Sequence, residues 1–138
     1  MTNPSGKKTV GLVEKVKVSG KKTVEICALF DTGARMSSID LKLASKIGLG
    51  PITRVMKVRS ASSTARVSRP VVQAVIEIMG QRLTADINIQ ERTHMDVPML
   101  IGRNVMSGRF VVDPEINEDK LKRMKKNENR TAFGGFNW

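Results

Sequence analysis

Ala28-Leu29-Phe30-Asp31-Thr32-Gly33-Ala34 is the stretch of this sequence that decides the fold. Residues 22–30 alternate apolar and polar side chains, which predicts a β-strand that ends at Asp31. Gly33 permits a sharp turn after that strand, and the Thr32 hydroxyl can both donate and accept hydrogen bonds. The strand therefore delivers a carboxylate at the point of a tight turn, and a half-buried charge in that position calls for a functional explanation.

The chemistry that suits such a carboxylate is peptide hydrolysis without a metal ion or a covalent intermediate. Two carboxylates that share one proton can divide the work, one acting as base toward water and the other as acid toward the carbonyl. This sequence has a single Asp-Thr-Gly, so a symmetric homodimer is expected to supply the second copy. The other aspartates are poorer candidates because no Thr-Gly follows them: Asp40, Asp86, Asp96 and Asp113.

Taken alone, Asp-Thr-Gly favours an ordinary turn, but a second segment far downstream changes this interpretation. Pro98-Met99-Leu100-Ile101-Gly102-Arg103-Asn104 is an apolar strand that ends in Gly-Arg and a helix-capping residue. Between the two segments, residues 72–78 and 83–89 alternate on either side of a short turn and predict a β-hairpin. Residues 50–70 mix Val-rich pieces with Ser, Thr and Arg, which predicts an exposed hairpin or mobile loop, the candidate flap.

A short helix is predicted after the Asp-Thr-Gly turn, capped by Ser37 or Ser38 and ended by Gly48. Its shared apolar face would consist of Ile39, Leu43 and Ile47.

The predicted folded domain spans residues 9–114. Residues 1–8 are expected to be a flexible N-terminus. From residue 115 the composition turns to Lys, Glu and Asn, so residues 115–138 are expected to form a basic, partly helical or disordered tail.

In order, the Asp-Thr-Gly-Ala loop, the central flap and the late Leu-Ile-Gly-Arg-Asn segment resemble the retroviral aspartic proteases. The sequence is still more similar to a retropepsin-like subgroup that is labelled ATP-dependent zinc proteases and found beside ATP-grasp glutamate ligases. The blocks that carry this likeness are DTGARMSSI at 31–39, SRPVV at 68–72 and MLIGRNVMSGRFVVDP at 99–114. The resemblance implies an all-β, closed acid-protease (retropepsin-like) barrel with a flap hairpin and one or two short helices. It also implies a homodimer that acts on glutamate-rich tails added to proteins by the ligase.

The resemblance assigns the catalytic roles to the Asp-Thr-Gly-Ala loop. Asp31 would be the catalytic carboxylate, and Thr32 would form a hydrogen-bonded grip between the two subunits. Gly33 completes the catalytic triplet and, together with Ala34, would form the turn on the substrate side.

The late segment supplies structural support in the same resemblance, through Gly102, Arg103 and Asn104. In the retroviral enzymes an aspartate follows the alanine and pairs with the late arginine, whereas this sequence has Arg35 at that point. The partner of Arg103 is therefore left open, and a cation is placed where it could meet an acidic side chain of a substrate.

The net charge of the sequence is +11, from 24 Lys and Arg against 13 Asp and Glu, which favours anionic partners. Much of the excess lies within residues 35–70. If the candidate flap faces the cleft, its cations would bind an acidic peptide, chiefly through Arg59, Arg66 and Arg69; a solvated basic loop explains them equally well. Nucleic-acid binding is a weaker alternative because no aromatic side chains stand among these cations for bases to stack on.

Other chemistries have little support in the sequence. His94 and Cys27 are its only histidine and cysteine and it has no HExxH, so neither a metal site nor a cofactor is predicted. No stretch approaches the roughly 20 apolar residues that cross a bilayer, so no membrane partner is predicted. A single cysteine and the absence of a signal peptide predict a cytoplasmic protein.

Three functions therefore stay open on the sequence. The first is a homodimeric aspartic endopeptidase, which the Asp-Thr-Gly-Ala and Leu-Ile-Gly-Arg-Asn segments favour. The second is a retropepsin-fold binding module in which Asp31 is idle. The third is a basic adaptor for a ribosome or RNA, which would bind with a steep salt dependence.

Overall fold

The computed structural model describes residues 5–59 and 65–126, and in that part the chain forms nine strands and three short helices. The strands are β1 (Lys8–Val10), β2 (Val13–Ser19), β3 (Thr23–Phe30), β4 (Ser37–Asp40), β5 (Arg54–Arg59), β6 (Arg66–Ile78), β7 (Gln81–Gln90), β8 (Met99–Ile101) and β9 (Phe110–Val112). The helices are α1 (Leu41–Lys46), α2 (Arg103–Met106) and α3 (Glu118–Lys126).

Six of the strands form a closed barrel. The sheet runs in the order β2-β3-β8-β4-β7-β6, and β6 pairs back onto β2, which leaves β5 as an extension beyond the closure. A separate parallel pair, β1 with β9, joins the two ends of the domain. Closure removes the exposed edges that an open sheet would present. The expected all-β, closed barrel is confirmed.

The barrel interior is filled by alternate side chains of each strand, as the period of two requires. In β2 and β3 the inward residues include Val16, Val18, Ile26 and Ala28, all buried. Residue Phe30, at the end of β3, meets Phe110 of β9 edge to face, with ring centroids 6.4 Å apart. This contact packs the strand that carries the Asp-Thr-Gly turn against the last strand of the domain.

Two hairpins were expected in the middle of the chain. The β6–β7 hairpin turns at Met79 and Gly80, which both have positive φ (52° and 79°), as a two-residue turn between twisted strands requires. The candidate flap is an antiparallel pair, with β5 and β6 matched from Arg54 opposite Val71 to Arg59 opposite Arg66. Its tip, residues 60–64, lies outside the described residues.

The predicted start of the first helix is wrong. Ser37 and Ser38 lie in β4, a buried strand that pairs with β7 on one side and β8 on the other. The cap is Asp40, whose Oδ2 accepts hydrogen bonds from the backbone amides of Lys42 (3.1 Å) and Leu43 (3.2 Å). Ladders on both sides of β4 outweigh the local helical pattern, because each ladder satisfies backbone groups that a buried helix start would leave open.

Part of the segment predicted as a tail contacts the barrel. The amide of Asn117 donates from Nδ2 to the Val13 carbonyl at 2.6 Å. In α3, Leu121 and Met124 pack against a small buried cluster that includes Val13 and Cys27. Residues 1–4 and 127–138, which belong to the predicted flexible ends, lie outside the described part.

None of the helices in the described part of the chain is long and apolar enough to cross a bilayer.

Candidate active site

Asp31 stands at the point where three strands meet. β8 lies between β3, to which it is parallel, and β4, to which it is antiparallel. The chain leaves β3, crosses the end of β8 and returns as β4, and in this crossing the Asp31 amide donates to the Ile101 carbonyl at 2.9 Å. The position of the carboxylate is therefore set by the barrel framework.

The turn itself is held by hydrogen bonds to the side chain and to the backbone carbonyl of Asp31. The Gly33 amide donates to the Asp31 carboxylate at Oδ1 (2.9 Å), and the Ala34 amide donates to the Asp31 carbonyl (3.1 Å). A Cβ at position 33 would lie 3.2 Å from Oδ1, so glycine permits this close approach. The second carboxylate oxygen, Oδ2, accepts no hydrogen bond from the described residues, and Asp31 is partly exposed.

The late segment closes directly on this turn. The amide of Arg103 donates to the Ala34 carbonyl at 2.8 Å, and its guanidinium donates from Nη1 to the Thr32 carbonyl at 3.0 Å. A Cβ on Gly102 would lie 2.6 Å from the carbonyl carbon of Met36, so only glycine fits there. The partner of Arg103, which the sequence left open, is therefore the backbone of the Asp-Thr-Gly turn.

Asn104 ties the same turn to β4 and β7. Its Oδ1 accepts from both the amide and the hydroxyl of Ser37, each at 2.9 Å, and its Nδ2 donates to the Asp86 carbonyl at 2.8 Å. The Ser37 hydroxyl also accepts from the Gly102 amide at 2.9 Å. The network satisfies its buried polar groups, which makes the geometry around Asp31 rigid.

A groove of about 610 Å³ opens beside Asp31 and Thr32. Its walls are largely apolar and include side chains of Leu12, Leu29 and Leu121. Thr32 is exposed, and its hydroxyl makes no hydrogen bond within residues 5–59 and 65–126. A carboxylate, an unpartnered hydroxyl and an apolar groove are thus brought together at one end of the barrel.

Arg92 also lines this groove, and the sequence interpretation missed it. It lies in the bend after β7 but is only 4% exposed, with Nε donating to the Val97 carbonyl (3.2 Å) and Nη1 donating to the Ser38 hydroxyl (3.3 Å). Burial lowers the pKa of the Arg92 guanidinium, and the carboxylates of Asp40 and Asp31 raise it again in part. The sequence carried no signal for this, since an arginine in a polar bend is usually exposed.

Two aspartates set aside on the sequence have distinct positions. Asp40 is buried and its Oδ1 accepts from the Arg92 amide at 2.8 Å, in addition to its helix-capping bonds. Asp96 lines the same groove as Asp31 and is the other carboxylate found there among the described residues. It therefore has to be distinguished experimentally from a second Asp31 as the partner carboxylate.

The predicted substrate-binding cations are not gathered around the groove in a single chain. Arg35 is exposed beside the Asp-Thr-Gly turn. In the candidate flap, Arg59 and Arg66 lie directly opposite each other and share a face, whereas Arg69 is opposite Met56 on the other face. Arg54, another cation of the flap strands, forms an ion pair with Asp86 at 3.4 Å.

A set of side chains that could bind a metal ion is not found in the part of the chain that the structure describes. No group of three or more His, Cys, Asp and Glu side chains there could hold an ion.

The fold is similar to that of several solved proteins. Lpg0085, a protein of unknown function (DUF785) from Legionella pneumophila, matches with a TM-score of 0.56 and 21% identity over 79% of this chain and 95% of that chain. The protease of simian foamy virus has a TM-score of 0.48 and 12% identity over 64% of this chain and 85% of that chain. EIAV protease has a TM-score of 0.48 and 14% identity over 76% of this chain and 90% of its own. The likeness to Lpg0085 concerns the fold alone.

Sequence comparison gives the family. No curated protein matches the chain. Residues 42–123 match the RimB-like family model, described as retropepsin-like aspartic endopeptidase RimB. The matched range includes Arg92 and the Gly102-Arg103-Asn104 segment and begins after Asp31. Because it spans more than half of the 138 residues, the chain belongs to the RimB-like family of retropepsin-like aspartic endopeptidases.

Proposed function

We propose that this protein is a homodimeric aspartic endopeptidase in which Asp31 of each subunit contributes one carboxylate. The observation that carries the proposal is the state of that carboxylate. One oxygen is held by the Gly33 amide, and the other is free of hydrogen bonds from the described residues, at the edge of a groove. Membership of an aspartic endopeptidase family supports the same assignment.

The proposed dimer follows from the number of catalytic carboxylates that the mechanism needs. The mechanism needs two carboxylates that share a proton, and the sequence has one Asp-Thr-Gly. A two-fold axis beside the exposed Thr32 would bring two such turns together, and the free hydroxyl would then hydrogen bond to the partner's turn. The rigid support from Arg103 and Asn104 would hold each turn in position.

In the proposed reaction a water molecule lies between the two carboxylates. One carboxylate takes a proton from the water as the water oxygen bonds to the peptide carbonyl carbon. The other carboxyl group gives its proton to the carbonyl oxygen. The carboxyl group that took the water proton then gives it to the nitrogen as the C–N bond of the tetrahedral intermediate breaks, and the other carboxylate takes a hydroxyl proton as the new carboxylic acid forms. The Gly33 amide would keep its carboxylate oriented throughout.

The proposed substrate is an acidic, glutamate-rich peptide or protein tail. The net charge of +11 supports it, as do the exposed Arg35 beside the turn and the cations of the flap strands. The resemblance to retropepsin-like proteins found beside ATP-grasp glutamate ligases points to the same class of substrate. The single buried Cys27 agrees with action in the cytoplasm.

The test is hydrolysis of a poly-α-glutamyl peptide and of a neutral peptide of equal length, from acid to neutral pH. We expect the wild type to cleave the acidic peptide and Asp31→Asn to lose at least about 1,000-fold in kcat/KM while remaining a folded dimer. Asp96→Asn is the matched control, because it neutralises the other carboxylate of the groove, and it should stay active.

Two outcomes would overturn the proposal. Full activity of Asp31→Asn would exclude the aspartic mechanism at this residue. Loss of activity in both single variants, Asp31→Asn and Asp96→Asn, would assign the pair to the two carboxylates of one chain. If a confirmed dimer cleaves neither peptide but binds the acidic one, the protein is a binding module. Salt-dependent RNA binding that Asp31→Asn leaves unchanged would favour the basic adaptor instead.

A further inference from the structure

Arg92 is a buried cation with an incomplete set of partners. A guanidinium has five N–H groups on three nitrogens, and all of them need acceptors when they leave water. Arg92 is only 4% exposed, yet within the described chain only Nε and Nη1 of its guanidinium donate hydrogen bonds. The third nitrogen, Nη2, has no acceptor there, and Arg92 is one of the residues that line the groove beside Asp31.

No carboxylate of the described residues forms an ion pair with this guanidinium. The nearby Asp40 carboxylate is already occupied by three backbone amides, those of Lys42, Leu43 and Arg92 itself. Burying a cation without a bonded anion is costly, and the cost is recovered when a carboxylate completes the pair. The buried cation is therefore ready for an anion that enters from the groove.

The rest of the groove defines the shape of that anion. Leu12, Leu29, Val97 and Leu121 present apolar surface around the polar Asp31 and Arg92. A glutamyl side chain has the matching form, since two methylene groups would lie against the apolar walls and the carboxylate would reach the guanidinium. Arginine binds carboxylates through charge-assisted hydrogen bonds, which are the stronger kind.

We propose that Arg92 is a specificity residue that forms a carboxylate-binding subsite beside Asp31 and takes an acidic group of the peptide near the scissile bond. The inference rests on the proposed peptidase function and adds the position at which acidity is recognised. The carboxylate can come from a glutamyl side chain or from the C-terminus of the peptide. The two sources share the same chemistry and are separated by the substrates used.

The first experiment varies the substrate and leaves the protein intact. Wild-type protein is given a poly-α-glutamyl peptide, versions with a single Gln in place of Glu at each position, and a version with an amidated C-terminus. We expect one change to lower kcat/KM about 10-fold to 100-fold, as loss of a charged hydrogen bond does, and the others to have small effects. A uniform small loss at every position would overturn the proposal, because it would indicate long-range attraction only.

The second experiment removes the guanidinium. Arg92→Met should lower kcat/KM for the all-glutamyl peptide by the same factor and should lose the preference for Glu over Gln at the sensitive position. Arg109→Met is the matched control, since Arg109 is a half-buried arginine that donates to the Val105 carbonyl (3.2 Å) and does not line the groove. Unchanged discrimination in a folded Arg92→Met protein would overturn the proposal.

A binding measurement separates this inference from the proposed function. In the Asp31→Asn background, calorimetric titration compares the glutamyl peptide with its Gln-substituted and amidated versions, with and without Arg92→Met. A preference that depends on Arg92 supports the subsite even if the wild type cleaves nothing. Equal affinity for all the peptides would remove the subsite while leaving the hydrolysis result to decide the function. Should Arg92→Met fail to fold, Arg92→Lys keeps the charge but loses the fork geometry, and it should retain only part of the preference.

Discussion

The turn at Asp31 and the candidate flap are built in opposite ways. The turn is fixed by hydrogen bonds to the Ile101 carbonyl, from Arg103 and to the Asn104 side chain, and Gly102 has no room even for a methyl group. In the flap, residues 54–59 and 66–70 are exposed or only partly buried, and within the described residues β5 pairs with β6 alone. The difference would suit the two tasks of the proposed peptidase, because hydrolysis requires a carboxylate held to a fraction of an ångström, whereas attraction of a charged peptide requires only charge density.

The largest loss of stability is expected at Gly102, where the turn has no space for a side chain. In Gly102→Ala the new Cβ would lie 2.6 Å from the Met36 carbonyl carbon, so the backbone has to move. We expect a loss of about 3 kcal/mol or more in the free energy of unfolding, measured by urea denaturation, with loss of activity. Gly33→Ala is the comparison, because its Cβ would meet only the Asp31 carboxylate at 3.2 Å. It should lower activity far more than stability, and equal destabilisation by the two changes would contradict this account.

Next in size is the loss of the Asn104 network. Asn104→Ala leaves the Ser37 amide and the Asp86 carbonyl without their side-chain partner. We expect about 2 kcal/mol of destabilisation, since unsatisfied buried groups bear the full cost of desolvation. Thermal denaturation of the variant measures it. Asn104→Asp keeps the acceptor for Ser37 but puts a carboxylate oxygen in place of the donor to the Asp86 carbonyl, so it should destabilise at least as much as the alanine variant. Unchanged stability in both variants would contradict this account.

In the flap, substitutions should change activity on acidic peptides more than they change stability. Replacing Arg59, Arg66 and Arg69 by Gln should change the free energy of unfolding by no more than about 0.5 kcal/mol, as exposed substitutions do. The same triple variant should lose activity on acidic peptides more than on neutral ones, with a weaker dependence of kcat/KM on salt. Equal losses on both peptides would show that these cations serve folding or general solubility.

The smallest effect is expected at the ion pair at the base of the flap. Arg54 and Asp86 are 3.4 Å apart with half and about a third of their side chains exposed, 51% and 36%. Exposed pairs of this kind contribute little, so Arg54→Gln should cost about 0.5 kcal/mol or less. A double-mutant cycle with Asp86→Asn isolates the pair. A coupling above about 1 kcal/mol would make the flap base as tightly held as the Asp31 turn, and the contrast between the two regions would fail.

Local patterns in the sequence were sufficient for much of the barrel. The alternation of β3, the Met79-Gly80 turn and the pairing of the flap strands all follow from side-chain periodicity and turn chemistry, which act between near neighbours. The sequence also indicated that the late Gly-Arg-Asn segment belongs with the Asp-Thr-Gly turn. The acceptor of Arg103 could not be derived, because it is a backbone carbonyl that this crossing of strands brings into reach.

Tertiary structure decided the remaining features. Ser37–Asp40 became a strand because β7 and β8, both distant in the chain, satisfy its backbone from two sides, and no local pattern records that. Arg92 is buried because its bend folds over the Asp40 cap, a contact between residues 52 positions apart. The sequence by itself therefore determined the barrel strands other than β4, and the candidate catalytic carboxylate, which depend on local order. The groove and its buried cation depend on long-range contacts, and only the folded chain creates them.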